Sequence, residues 1–95
     1  MQCERIVFSG HAVRRMFEWK IGKEEVIAVL RTGEVIMEYP EDKPFGSRLM
    51  LGIVGGRPLH VVAALDPATA TCYVITTYLP DSAIWQPGFR SRRLS

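Results

Sequence analysis

Two hydrophobic periods divide the chain, helical up to Thr32 and alternating from Glu34 onward. Ala12, Met16 and Trp19 stand at i, i+4 and i+7, with Val13 and the stem of Lys20 beside them. This spacing predicts a helix over 11–20 with those side chains as its buried stripe. Ser9 is placed to cap it, because its hydroxyl can accept from an unpaired N–H of the first turn. Gly22 interrupts the pattern, and a second helix follows over 23–32. Glu24 and Glu25 sit in its first turn, where negative charge suits the helix dipole. Val26, Ile27 and Leu30 form its apolar face, and Gly33 is the stop.

Beyond Gly33, β-branched and aromatic residues alternate between turn signals and predict four strands, over 34–39, 48–54, 58–66 and 71–79. Gly55-Gly56 is a tight hairpin signal, Asp66-Pro67-Ala68-Thr69 is a second turn, and 40–47 is a longer polar connection. Short turns between consecutive strands make an antiparallel meander. Two N-terminal helices packed on one face of a four-stranded antiparallel sheet give an α+β layer fold. After Pro80 the periodicity is lost, and 81–95 reads as an irregular basic tail pinned by Trp85 and fraying at its arginines. Without repeats or a linker, 1–95 is one domain.

Composition adds exclusions. With 47% hydrophobic and 23% charged residues, the chain is not of the disordered or low-complexity kind. No apolar run reaches the roughly 18 residues of a membrane span. The opening segment, MQCERIVFSG, lacks a basic stretch followed by an apolar one and a cleavage site, so no secretory signal and a cytoplasmic location are expected. Residues 1–80 balance nine basic against nine acidic side chains, so the net charge of +2 comes from Arg90, Arg92 and Arg93 against Asp81. Such an end is either a hand for phosphates or a solvated tail. Cys3 and Cys72 form no CxxC and read as free, packed thiols with no metal role.

Signatures for nucleotides, zinc proteases, serine hydrolases and calcium loops are absent: the chain has no GxGxxG, Walker A, HExxH, GxSxG or EF-hand motif. What remains is a set suited to acid–base work on a phosphodiester. His11 and Arg15 lie one turn apart on a helix face, together with Glu18, and away from the apolar stripe. Imidazole titrates near neutrality without help, so His11 and His60 can serve as base and acid. The alternatives are a cap-region histidine at His11 and a core histidine at His60. Register decides the second case. A two-residue Gly55-Gly56 turn sets His60 opposite Leu51 among core-like residues, whereas a bulged three-residue turn sets it opposite Gly52. The next turn leaves it opposite Thr77 or Tyr78, and on the Tyr78 register Thr76 and Tyr78 share its face.

The segments His11-Ala12-x-x-Arg15-Met16, Gly33-Glu34-Val35-Ile36, Pro58-Leu59-His60-Val61-Val62 and Ile75-Thr76-Thr77-Tyr78-Leu79-Pro80 resemble the bacterial "domain of unknown function 4258" family. Trp85 and the Phe89-Arg90-x-Arg92-Arg93 end extend the likeness over nearly the whole chain. That family is similar to the barnase, EndoU, colicin and RelE superfamily of small ribonucleases, many of them toxins of toxin–antitoxin pairs. The resemblance implies a RelE-like fold and a metal-independent endoribonuclease that needs no cofactor, with RNA, in some cases on the ribosome, as substrate and an antitoxin protein as partner. His11 and His60 would then be the acid–base pair, Arg15 would stabilise the phosphoryl oxygens, and Thr76 and Tyr78 would position the phosphate or supply a proton. Arg90, Arg92 and Arg93 would hold the RNA backbone. The alternative is a non-catalytic RNA- or protein-binding module on the same fold. Trp19 and Lys20 stand where the family often has arginine and glycine, which removes a cation from the first helix.

Overall fold

The computed structural model describes residues 1–94, in seven elements. They are β1 (Arg5–Phe8), α1 (Gly10–Trp19), α2 (Lys23–Thr32), β2 (Glu34–Tyr39), β3 (Ser47–Val54), β4 (Arg57–Asp66) and β5 (Thr71–Tyr78). The strands form one sheet in the order β1-β5-β4-β3-β2. The four strands read from alternation are present and pair antiparallel. The expectation of a purely antiparallel four-stranded sheet needs correction, because β1 adds a fifth strand parallel to β5. A four-residue strand gives too short an alternation to read, and a parallel partner far along the chain leaves no hairpin signal.

Ser9 caps α1 as expected, accepting from the Ala12 N–H at 3.0 Å. Its hydroxyl also donates to the Ile75 carbonyl at 2.9 Å, which fastens the start of α1 to β5. At the corner between the helices the Glu25 carboxylate accepts from the Gly22 N–H at 2.7 Å and from Arg57 at 3.1 Å. These bonds, the Gly22 one foremost, hold the Glu25 carboxyl below its ordinary range.

The helices cover one sheet face. Ala12, Ile21, Val26, Val29 and Leu30 pack on Met50, Leu59, Val61, Ala63 and Val74. Val29 rather than Ile27 belongs to the buried face of α2. The close approach of α2 to the sheet requires a glycine at position 52, where a Cβ would meet Val29 Cγ2 at 2.7 Å. Trp19 and Val13 do not belong to the buried stripe of α1, being 42% and 40% exposed.

The other sheet face carries Ser47, Leu49, Leu51, His60 and Ala64, all buried. The 81–94 segment lies over part of it, with Trp85 only 3% exposed and its ring 4.5 Å from that of His60. The tail turns back on itself rather than fraying. Gln86 N–H donates to the Ser91 carbonyl at 2.8 Å, Arg93 N–H donates to that of Ile84 at 2.7 Å, and Trp85 bridges to Arg92.

Cys3 and Cys72 are joined in a disulfide, with Cα atoms 5.5 Å apart, which corrects the reading of free thiols. The cause is the parallel pairing. Arg5 pairs with Thr71 and the Glu4 N–H donates to the Ala70 carbonyl at 2.8 Å, so the chain just ahead of β1 is held against the start of β5, and Cys3 comes within bonding reach despite a separation of 69 residues.

Candidate functional site

Beyond Val74, the last residue of β5 with a β1 partner, α1 takes the place of a strand beside β5. Between this stretch, α1 and the start of the tail lies a cleft of about 440 Å³. His11, Arg15 and Trp19 line it from α1, Thr76, Tyr78 and Leu79 from β5 and its end, and Asp81, Ile84 and Trp85 from the tail. Three features of the sequence build it. The i, i+4 spacing puts His11 and Arg15 on one face, with Trp19 a further turn along. A bulge in β5 pairs Val62 with Thr76 but Ala63 with Val74, leaving Ile75 unpaired. That extra residue resets the alternation, so Thr76 and Tyr78 share a face with His60 while Thr77 turns to the helix side. Pro80 ends the strand, and the Asp81 carboxylate accepts from the Ala83 N–H at 2.8 Å, turning the chain toward Trp85.

Four of the residues singled out from the sequence thus meet in one cleft: His11, Arg15, Thr76 and Tyr78. His60 does not line it. Both hairpins settle its register, opposite Leu51 on β3 and Tyr78 on β5. Its side chain has no exposed surface. Nε2 lies 2.9 Å from the Phe89 carbonyl oxygen and Nδ1 lies 3.2 Å from the Tyr78 hydroxyl. A carbonyl only accepts, so Nε2 carries the proton, and in the neutral ring Nδ1 then accepts from Tyr78. Burial pushes the His60 pKa below its usual value, against the opposing effect of the Phe89 bond. Burial likewise pushes the Tyr78 phenol up. The expectation of two histidines free to act on one phosphodiester is therefore corrected: His60 is enclosed, both its nitrogens are occupied, and it ties β4 to the tail.

The arginines meant for an RNA backbone are also engaged. Arg90 Nε donates to both carboxylate oxygens of Glu34 at 3.0 Å. The Arg92 guanidinium stands 5.5 Å above the Trp85 ring, and Arg93 Nε donates to the Ser82 carbonyl at 2.8 Å. Among the described residues Arg15 pairs only with Glu18 on its own helix, at 3.0 Å and with both groups well exposed. Such a pair contributes little and exchanges readily for a better anion. Among the described residues no three His, Cys, Asp or Glu side chains are grouped as a metal would need.

The model of the Domain of unknown function (DUF4258) family matches residues 8–79, which is most of the chain. The chain belongs to this family. The DUF4258 match takes in β5 and both helices but stops short of the tail, so Trp85 and the arginines lie outside it. No curated protein and no solved structure matches the chain.

The lining residues that sequence reasoning missed are Trp19, Leu79, Asp81, Ile84 and Trp85. Trp19 reads as a core position from the sequence because i+7 from Ala12 and i+8 from His11 describe the same residue.

Proposed function

We propose that this member of the DUF4258 family is a single-stranded RNA-binding module on a RelE-like variant of the fold, and that the cleft beside α1 holds the RNA. The observation that carries this reading is the meeting of Arg15, His11 and the Thr76 hydroxyl with the part-exposed Trp19 ring in one concavity. A guanidinium and an imidazole suit a phosphate, a hydroxyl suits a ribose, and an indole face suits an unstacked base. In this account the Trp19 indole supplies the stacking surface of the cleft.

The second reading is a metal-independent endoribonuclease of a toxin–antitoxin pair, favoured by the same convergence of His11, Arg15 and Thr76. His11 would take the proton of a ribose 2′-OH, the 2′-oxygen would attack phosphorus, and the leaving 5′-oxygen would need a proton from an acid. His60 is enclosed and the Tyr78 hydroxyl already donates to it, so the cleft offers no second histidine for that step. This is why binding is the better supported of the two. A cytoplasmic location for either reading is opposed by the Cys3–Cys72 cross-link, a kind of bond rare in that compartment.

The test is an anisotropy titration of a labelled single-stranded RNA across a series of salt concentrations, with the RNA afterwards run on a denaturing gel. Arg15→Ala should weaken binding about tenfold, as expected for one charged hydrogen bond. It should also lower the magnitude of the salt slope by about 0.7. Intact RNA supports the module. Cleavage that persists in chelator and leaves a 2′,3′-cyclic phosphate, on free RNA or on ribosomes, supports the ribonuclease. No binding, with no cleavage of free RNA or on ribosomes, removes both.

A further inference from the structure

A second concavity, of about 430 Å³, lies away from the RNA cleft, between Phe8 at the end of β1, the face of α1 carrying Val13, Met16 and Phe17, and the corner at Lys20, Ile21 and Lys23. Phe17 is 82% exposed on its rim, in a helix whose neighbouring turn has Val13 at 40%. An aromatic ring this bare beside an apolar hollow is surface that water solvates poorly. The charged residues of the lining are both lysines, and neither forms an ion pair with a carboxylate among the described residues. Lys23 instead lies 5.9 Å from the centroid of the Phe8 ring.

We propose that this groove docks an acidic amphipathic helix of another protein, its apolar side chains seated against Phe8, Met16 and Phe17 and its carboxylates on Lys20 and Lys23. The charge pattern chooses the partner. A second copy of this chain related by a twofold axis would bring the lysine rim against itself, and like charges at an interface oppose association. A membrane surface would also attract lysines and could receive the bare Phe17 ring, so anionic vesicles are an outcome of the test below. Helices with spaced apolar anchors fill such grooves. The groove shares no lining residue with the RNA cleft, so the two surfaces can be occupied independently.

The probe is a labelled synthetic helix with leucines at i, i+4 and i+7 and glutamates flanking them, titrated with the full chain by fluorescence anisotropy. Saturable binding is expected, weakened at least tenfold by Phe17→Ala and by Lys23→Glu, and absent for the same peptide with lysine flanks. Phe17 is exposed, so Phe17→Ala should leave the melting temperature and RNA affinity unchanged. Absence of peptide binding would overturn this proposal without touching the RNA reading. Binding that neither substitution changes would overturn the proposal. So would absence of peptide binding together with Phe17-dependent binding to anionic vesicles, or with Phe17-dependent dimerisation in ultracentrifugation.

Discussion

His60 shows how one register position changes a role. A histidine flanked by Leu59 and Val61 reads equally as an acid in a site or as a polar tie in a core, and the choice turns on whether Gly55-Gly56 makes a two-residue turn. It does: both glycines have positive φ, 59° and 80°, a conformation that side chains disfavour and that suits the tight primed turns. Val54 then pairs with Arg57, and His60 falls opposite Leu51. Nothing in the sequence before the turn distinguishes this from a bulged loop, so the role of His60 was not legible there. Its neutral ring has a consequence in pH. Burial lowers its folded pKa below the ordinary value of 6.5, so between the two values the unfolded chain binds more protons than the folded one. Stability should be full above the unfolded value and decline as pH falls below it toward the folded one. Urea denaturation at a series of pH values should show this decline, and His60→Gln should remove much of it. His60→Ala should cost about 2–5 kcal/mol, from the cavity and from the stranded Phe89 carbonyl and Tyr78 hydroxyl.

Among the elements, the two helices and four antiparallel strands were legible because each carries its own period and its own stops. The fifth strand and the folding of the tail were not, because both depend on partners far along the chain. Arg5–Phe8 becomes a strand only because β5 offers an edge to it, and Cys3 meets Cys72 for the same reason. The tail arginines read as free because Glu34, the Trp85 ring and the Ser82 carbonyl are brought to them only in the folded chain. Half of the candidate site was legible: His11 and Arg15 from helical spacing, Thr76 and Tyr78 once a shared face was considered. The bulge at Ile75 that seats the latter two has no sequence signal of its own. The disulfide gives a test of β1. Closing a loop of this length contributes about 4 kcal/mol in the chain-entropy model, commonly less in practice. Reduction should lower the urea midpoint and should release hydrogen-exchange protection in β1 before that in β3 and β4. Equal loss of protection in all three would mean that β1 is not a separately held edge.

For the molecule as a whole, the arrangement separates its surfaces. One sheet face is closed by the helices, the other is partly closed by the folded tail, and two of the concavities flank α1: His11, Arg15 and Trp19 face one, Val13, Phe17 and Lys20 the other. Arg90, Arg92 and Arg93 are held at the surface on Glu34, the Trp85 ring and the Ser82 carbonyl, so the cleft is predicted to contribute more to RNA affinity than the tail. Exposed pairs such as Arg90–Glu34 stabilise little, and their presence does not create a phosphate-binding surface. An NMR titration of the labelled chain with a short single-stranded RNA addresses the cleft itself. Shift changes are predicted at His11, Arg15, the Trp19 indole, Thr76 and Tyr78, with Arg90, Arg92 and Arg93 little affected. Changes confined to the tail arginines, or none at all, would contradict the account.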